Sequence, residues 1–253
     1  MKYRQKKQKD DIIYGTRPIK EAFDSAKEID KLLIQKGVRN DSIQEIIQKA
    51  KETQTPFQFV PIEKMNRVSP KNHQGVIAYV SKVEYQQLDM VLPMIYEKGE
   101  TPLLLILDRI TDIRNIGAIA RTAECTGVHA IIVPAQNSAR INADAVKSSA
   151  GALLRMPIVR SFNLKDSIKL IKDSGLQVFA ASEKASAVYN EVDYTHPTAI
   201  IMGSEEDGVS GEYQKLCDKV VQIPMAGEIA SLNVSVAAGV LLFEVLNQRR
   251  KVN

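Results

Sequence analysis

Cysteine and histidine are scarce in this 253-residue chain: Cys125 and Cys217 on one hand, His73, His129 and His196 on the other. Two cysteines cannot build a disulfide framework, and such low usage fits a reducing compartment, so a cytoplasmic location is expected. The three histidines lie too far apart in sequence for metal-ligand spacing, and no metal is expected. Long hydrophobic runs are missing too. The longest, such as Leu103–Leu107, fall far short of a membrane span, so no membrane partner is expected. No leader joins a basic patch to an apolar core and a small-residue cleavage site, so secretion is not expected. The chain also lacks G-x-G-x-x-G after any strand, G-x-x-x-x-G-K-[ST] and H-E-x-x-H. Nucleotide hydrolysis and a dinucleotide-type Rossmann site therefore find no support.

What is present is an ordinary globular composition, 44% hydrophobic and 25% charged, in a length that suits one large domain or two modest ones. The net charge is +4 but unevenly spread. Residues 1–80 hold 16 Lys+Arg against 10 Asp+Glu, whereas the rest hold 18 against 20. A basic module beside a near-neutral one points to a polyanion held by the first; the plainer alternative is a solvated tail.

Residues 1–11 are expected to form a flexible basic arm carrying Lys2, Arg4, Lys6, Lys7 and Lys9. Residues 12–82 alternate helical and extended patterns: a stripe of Ile19, Ala22 and Phe23, strands at 31–34, 57–60 and 76–80, and a helix over 42–53. Ser42 with Glu45 is expected to cap that helix. Residues 83–100 read as a linker with a helix near 90–97. From 101 to 253, buried-type strands at 103–107, 130–133, 156–159, 178–181, 199–202 and 220–223 alternate with helices, ending in one over 233–250. This pattern predicts an α/β fold with a parallel sheet covered on both faces.

Ligands of such sheets bind outside the carboxyl ends of strands. Three strand exits carry unusual loops. The first leads into a helix with Asn115 at its expected N-cap and Gly117 one turn before Arg121, whose guanidinium would lie back over the glycine toward the loop mouth. Close helix packing at Gly117, with Arg121 a surface cation, is the competing explanation. The second, Gly203 to Gly208, is a polar turn bracketed by glycines, with Glu205 a candidate partner for a cation. The third, Ile223 to Asn233, joins a strand to the last helix, which Ser231 is placed to cap.

Taken in order, Asn115-x-Gly117-x-x-x-Arg121-Thr122-Ala123, Met202-Gly203-Ser204-Glu205-x-x-Gly208 and Ile223-Pro224-Met225 with Ser231-Leu232-Asn233-Val234-Ser235-x-Ala237 resemble the three signature blocks of the SpoU (TrmH) family of RNA ribose 2′-O-methyltransferases. Ile13-Tyr14-Gly15 and His73-Gln74-Gly75 look like that family's appended substrate-binding domain. The resemblance implies a SPOUT-type parallel sheet with a C-terminal deep trefoil knot, preceded by a small L30e-like α/β domain. It implies S-adenosylmethionine (S-adenosylhomocysteine as product) at Gly203, Ile223, Met225, Ala226, Leu232 and Asn233. It implies a catalytic Arg121, oriented by Asn115 and Glu205, with Ser231 and Asn233 lining the ribose site. The implied partners are a second copy of the chain, completing the active site across a homodimer, and RNA. The arrangement is most similar to the 23S rRNA guanosine-2′-O-methyltransferase type. A tRNA ribose methyltransferase, a resistance-type rRNA methyltransferase and a non-catalytic RNA-binding assembly protein remain alternatives.

Overall fold

The structure, a computed structural model, describes residues 12–38 and 40–252; the basic arm expected at 1–11 lies outside the described residues. Two compact units divide between Glu84 and Tyr85.

The first unit contains β1 (Ile12–Tyr14), α1 (Thr16–Asp24), β2 (Ile29–Gln35), α2 (Asp41–Glu52), β3 (Phe57–Val60), α3 (Ile62–Val68) and β4 (Val76–Val80). Its sheet runs β1-β4-β2-β3, antiparallel except for the parallel β2–β3 pair. On α2, Ile43, Ile46, Ile47 and Ala50 recur at helical spacing and bury against Leu32, Ile34 and Val76. Asn40, not Ser42, caps that helix, its side chain accepting from Ser42 N at 2.8 Å.

The second unit begins with β5 (Tyr85–Gln86) and α4 (Leu88–Glu97). Leu88, Val91, Leu92 and Ile95 of α4 lie in this unit's core, so the helix read as part of a linker is built into the second unit. Then follow β6 (Leu103–Leu107), α5 (Ile113–Cys125), β7 (Ala130–Pro134), α6 (Ala143–Ser148), β8 (Ile158–Ser161), α7 (Leu164–Asp173), β9 (Gln177–Ala181), β10 (Ala187–Val188), β11 (Thr198–Met202), α8 (Gly211–Gln214), β12 (Lys219–Gln222) and α9 (Val234–Val252). The eight strands pair only in parallel, in the order β10-β12-β9-β11-β6-β7-β8-β5. Central β6 and β11 are buried at every position, which is why both read as continuous apolar runs. This is the α/β parallel-sheet class that the strand–helix alternation predicts.

α9 packs on α5 and is fastened at its far end by Arg249. That guanidinium donates to four carbonyls, of Thr101 (2.8 Å), Pro102 (2.9 Å), Tyr194 (3.1 Å) and His196 (2.9 Å). Among the described residues no helix is long and apolar enough to cross a membrane, and no cluster of His, Cys, Asp or Glu is arranged to hold a metal ion.

Candidate active site at the strand exits

β6 and β11 are neighbours paired in register from Thr198↔Leu103 to Met202↔Leu107, so their exits open side by side. The 203–208 turn leaves β11 and folds on itself: Gly208 N donates to Ser204 O at 2.9 Å. The stem has no room for a side chain. A Cβ on Gly203 would stand 1.9 Å from the Gly208 carbonyl carbon and 2.0 Å from Val209 N.

On one side of this turn lies a cavity of about 370 Å³. Gly203, Ile223, Met225, Ser231 and Leu232 line it, whereas Ala226 and Asn233, also expected at the cofactor, do not. Met202, Val221 and Val234 add apolar wall, while Ser182, Glu183 and Lys184 add polar wall from the loop after β9. Those three were missed in the sequence. The signal was available: β9 is a buried strand adjoining β11, and its exit is another polar loop at the same sheet edge. Apolar and polar walls over a thin glycine-pinched turn fit a small molecule that carries both an apolar part and a charged part.

At Glu205, which lines this cavity, three signature residues meet. Asn115 Nδ2 and Asn233 Nδ2 each donate to Glu205 Oε1 at 2.7 Å, and Asn233 Nδ2 also reaches Asn115 Oδ1 at 3.2 Å. The amide orientations are fixed from outside: Asn233 Oδ1 caps α9, accepting from Ser235 N at 2.9 Å, so its Nδ2 must face inward. Two expected roles change here. Asn233 rather than Ser231 caps α9. Asn115 sits inside α5 at 8% exposure, and Asp112 is the cap, accepting from Arg114 N. The carboxylate of Glu205 therefore holds two amides, not Arg121.

Arg121 stands apart from that cluster. It is exposed, lines neither this cavity nor the next, and forms no hydrogen bond or ion pair with a described residue. Gly117 does not clear a path for it. A Cβ there would lie 1.8 Å from Ser148 Oγ and 2.9 Å from the Ala145 carbonyl, so the glycine admits α6 against α5. The close-packing explanation is the correct one.

Across the 204–207 turn a second cavity of about 270 Å³ is lined by Arg109, Thr111, Asp112, Asn115 and Asn137. Arg109, also missed in the sequence, holds φ at +57° and bonds to Asp108, Asp207 and Gly208. Its signal was faint, a cation between the buried strand and a polar loop.

A parallel α/β sheet with a glycine-pinched cavity and an amide–carboxylate cluster at its strand exits is an architecture that can seat a small molecule. Residues 102–243 match the family model for SpoU rRNA methylases, and residues 12–86 that for RNA 2′-O ribose methyltransferase substrate binding. The chain belongs to the SpoU methylase family. It is 34% identical over 245 residues to YacO of Bacillus subtilis (strain 168), assigned to the TrmH family of tRNA/rRNA methyltransferases; the match covers 97% of this chain and 98% of that one. The SpoU methyltransferase AviRb from Streptomyces viridochromogenes, in complex with AdoMet, superposes with TM-score 0.60 at 28% identity, covering 95% of this chain and 90% of that one. An AdoMet-bound rRNA methyltransferase from Sinorhizobium meliloti superposes with TM-score 0.60 at 25% identity, covering 96% and 87%. The protein is an S-adenosylmethionine-dependent RNA methyltransferase.

Proposed function

We propose that this protein transfers a methyl group from S-adenosylmethionine to the 2′-hydroxyl of a guanosine ribose in 23S rRNA, acting as a cytoplasmic homodimer with its C-terminal segment threaded as a trefoil knot. The observation that carries the reading is the Asn115–Glu205–Asn233 cluster, joined to the glycine-pinched cavity through Glu205, which lines it.

Gly203, Ile223, Met225 and Leu232 would hold the cofactor, whose sulfonium supplies an electrophilic methyl group when bound. The chain's own residues then position the acceptor and manage its proton. Asn115 and Asn233, their amides fixed by Glu205, and the exposed Ser231 hydroxyl bracket the ribose. Arg121 has no described protein partner to give up, so its guanidinium is free to grip the adjacent phosphate and stabilise the developing 2′-oxyanion. A guanidinium is a poor proton acceptor, which argues against a general-base role; the 2′-hydroxyl proton passes instead to solvent water at the exposed Ser231 edge of the site.

Because Arg121 stands away from Asn115 and Glu205, it serves the site of a second copy. α9, which packs on α5, exposes Val236 and Phe243 on one side, an apolar stripe suited to a dimer interface. The basic balance of residues 1–80 and the match of 12–86 to a substrate-binding family model support RNA selection by the first unit. The S. meliloti relative, an rRNA methyltransferase matched along 96% of this chain, supports rRNA over tRNA.

The test is transfer of labelled methyl from S-adenosylmethionine to unmodified 23S rRNA and, separately, to tRNA transcripts, followed by nucleoside analysis. The expected product is 2′-O-methylguanosine from 23S rRNA alone, abolished by Arg121→Ala with RNA binding retained. Transfer only to tRNA would keep the chemistry and overturn the substrate. No transfer to either, nor to precursor ribosomal particles, would leave an RNA-binding assembly protein as the better account.

A further inference from the structure

The turn that carries Glu205 is fastened from the side facing away from the cofactor cavity, and one residue does the fastening. Asp108 continues β6 by one residue, its N donating to Met202 O at 2.8 Å, and its side chain is 1% exposed. Asp108 Oδ1 accepts from Arg109 Nε at 3.0 Å, while Oδ2 accepts from Arg109 Nη2 at 3.2 Å and from Ser210 N at 2.8 Å. Held flat by that carboxylate through two of its five N–H groups, the guanidinium spends two of the remaining three on the turn. Nη1 reaches Asp207 Oδ2 at 3.1 Å, and Nη2 also reaches the Gly208 carbonyl at 3.0 Å.

That carbonyl belongs to the pinch itself, since its oxygen would lie 2.3 Å from a Cβ on Gly203. The fork therefore pulls on the half of the stem that must stay pressed against Gly203. Arg109 achieves this from φ +57°, a left-handed conformation where glycine is the unstrained choice. Arg109 does not line the cofactor cavity, whereas residues 203–208, which it holds, all do.

We propose that Arg109 is a positioning residue for cofactor capture, clamping the 203–208 turn in the shape that the cavity and the Glu205 cluster require. This rests on the functional reading above. The clamp acts through the turn and touches neither cofactor nor RNA. A planar fork is essential because one end must be oriented by Asp108 while the other spans two acceptors, which a lysine's point charge cannot do.

The experiment is isothermal titration of full-length protein with S-adenosylhomocysteine, in the absence of RNA, for wild type, Arg109→Gly and Arg109→Lys, alongside thermal melts. Arg109→Gly removes the clamp and the strain together. Arg109→Lys keeps backbone and charge but loses the fork. Both are expected to melt cooperatively and to bind about tenfold more weakly, the size of one charge-assisted hydrogen bond. A merely structural arginine would lower the melting temperature and leave the affinity of folded protein unchanged. Wild-type affinity in either folded variant therefore sinks the clamp. An affinity for S-adenosylhomocysteine that holds while the KM for RNA rises would make Arg109 an RNA contact, and overturns it equally. Should the glycine variant fail to fold, the lysine variant decides alone. A wild-type chain that binds no S-adenosylhomocysteine fails at the functional reading first, and the clamp falls with it.

Discussion

Tyr194 holds a buried hydroxyl that finds no hydrogen-bond partner among the described residues, while its ring packs edge-on against Phe179 with centroids 4.9 Å apart. Burial pushes its phenol well above the ordinary tyrosine range, foremost through lost hydration, with Glu244 adding to the effect. Deleting that oxygen removes a desolvated group and keeps the ring, so Tyr194→Phe is expected to stabilise the protein by about 1 kcal/mol. A rise in the urea midpoint at unchanged m-value checks it; a fall would mean that the hydroxyl has a partner after all. The two cysteines separate on the same principle. Burial, aided by the neighbouring Asp218, pushes the Cys217 thiol up to about 12, whereas Cys125 is exposed. The thiolate is the reactive form, so an aromatic disulfide reagent at pH 8 should label one thiol per native chain, at Cys125. Rapid labelling of two would contradict the burial of Cys217. The candidate residues themselves were legible because Asn115, Glu205 and Asn233 sit in ordered motifs. Their pairing was not, since the bonds span 90 and 118 positions and depend on the Asn233 Nδ2 that its cap leaves free.

At the scale of elements, legibility followed burial. The strands at 76–80 and 103–107 fall where the apolar runs put them, because strands buried on a sheet need no other signal. The two-residue strands β5 and β10 carry no periodicity to read, and their pairing comes wholly from neighbours already in place. Helix caps were misplaced by two or three residues at α2, α5 and α9, since several Ser, Asp and Asn residues compete near each start and only the chain path chooses among them. The α5–α6 contact gives the sharpest prediction at this scale. Alanine is a better helix former than glycine by about 1 kcal/mol, yet at position 117 its methyl would overlap Ser148 Oγ and Cβ and crowd the Ala145 carbonyl. Gly117→Ala is therefore expected to destabilise by about 2 kcal/mol, the cost of overpacking outweighing propensity. Adding Ser148→Gly should recover part of that loss. A neutral or stabilising Gly117→Ala, read by denaturant titration, would mean that α6 can move aside.

For the whole molecule, charge and exposure assign separate tasks to separate surfaces. The basic excess lies within residues 1–80, while Val236 and Phe243 form an exposed apolar stripe on α9. If that stripe joins two copies, Phe243→Glu should convert a dimer into a monomer in analytical ultracentrifugation and remove methyl transfer, because Arg121 would no longer reach a partner's site. Wild-type protein that sediments as a monomer at micromolar concentration would refute the shared site directly. The Arg249 clasp has a different bearing, on how the fold yields to force. A pull on the end of α9, such as a processive unfoldase exerts, meets one guanidinium anchored to four carbonyls before it reaches the sheet. With no carboxylate in that grip, its strength resists changes of pH that would loosen an ion pair. Lifetime under load is a rate, governed by the barrier to the first rupture. A pull from that end would thus meet Arg249 first and, directly behind it, Gln248, which bonds Tyr194 N and Val192 O.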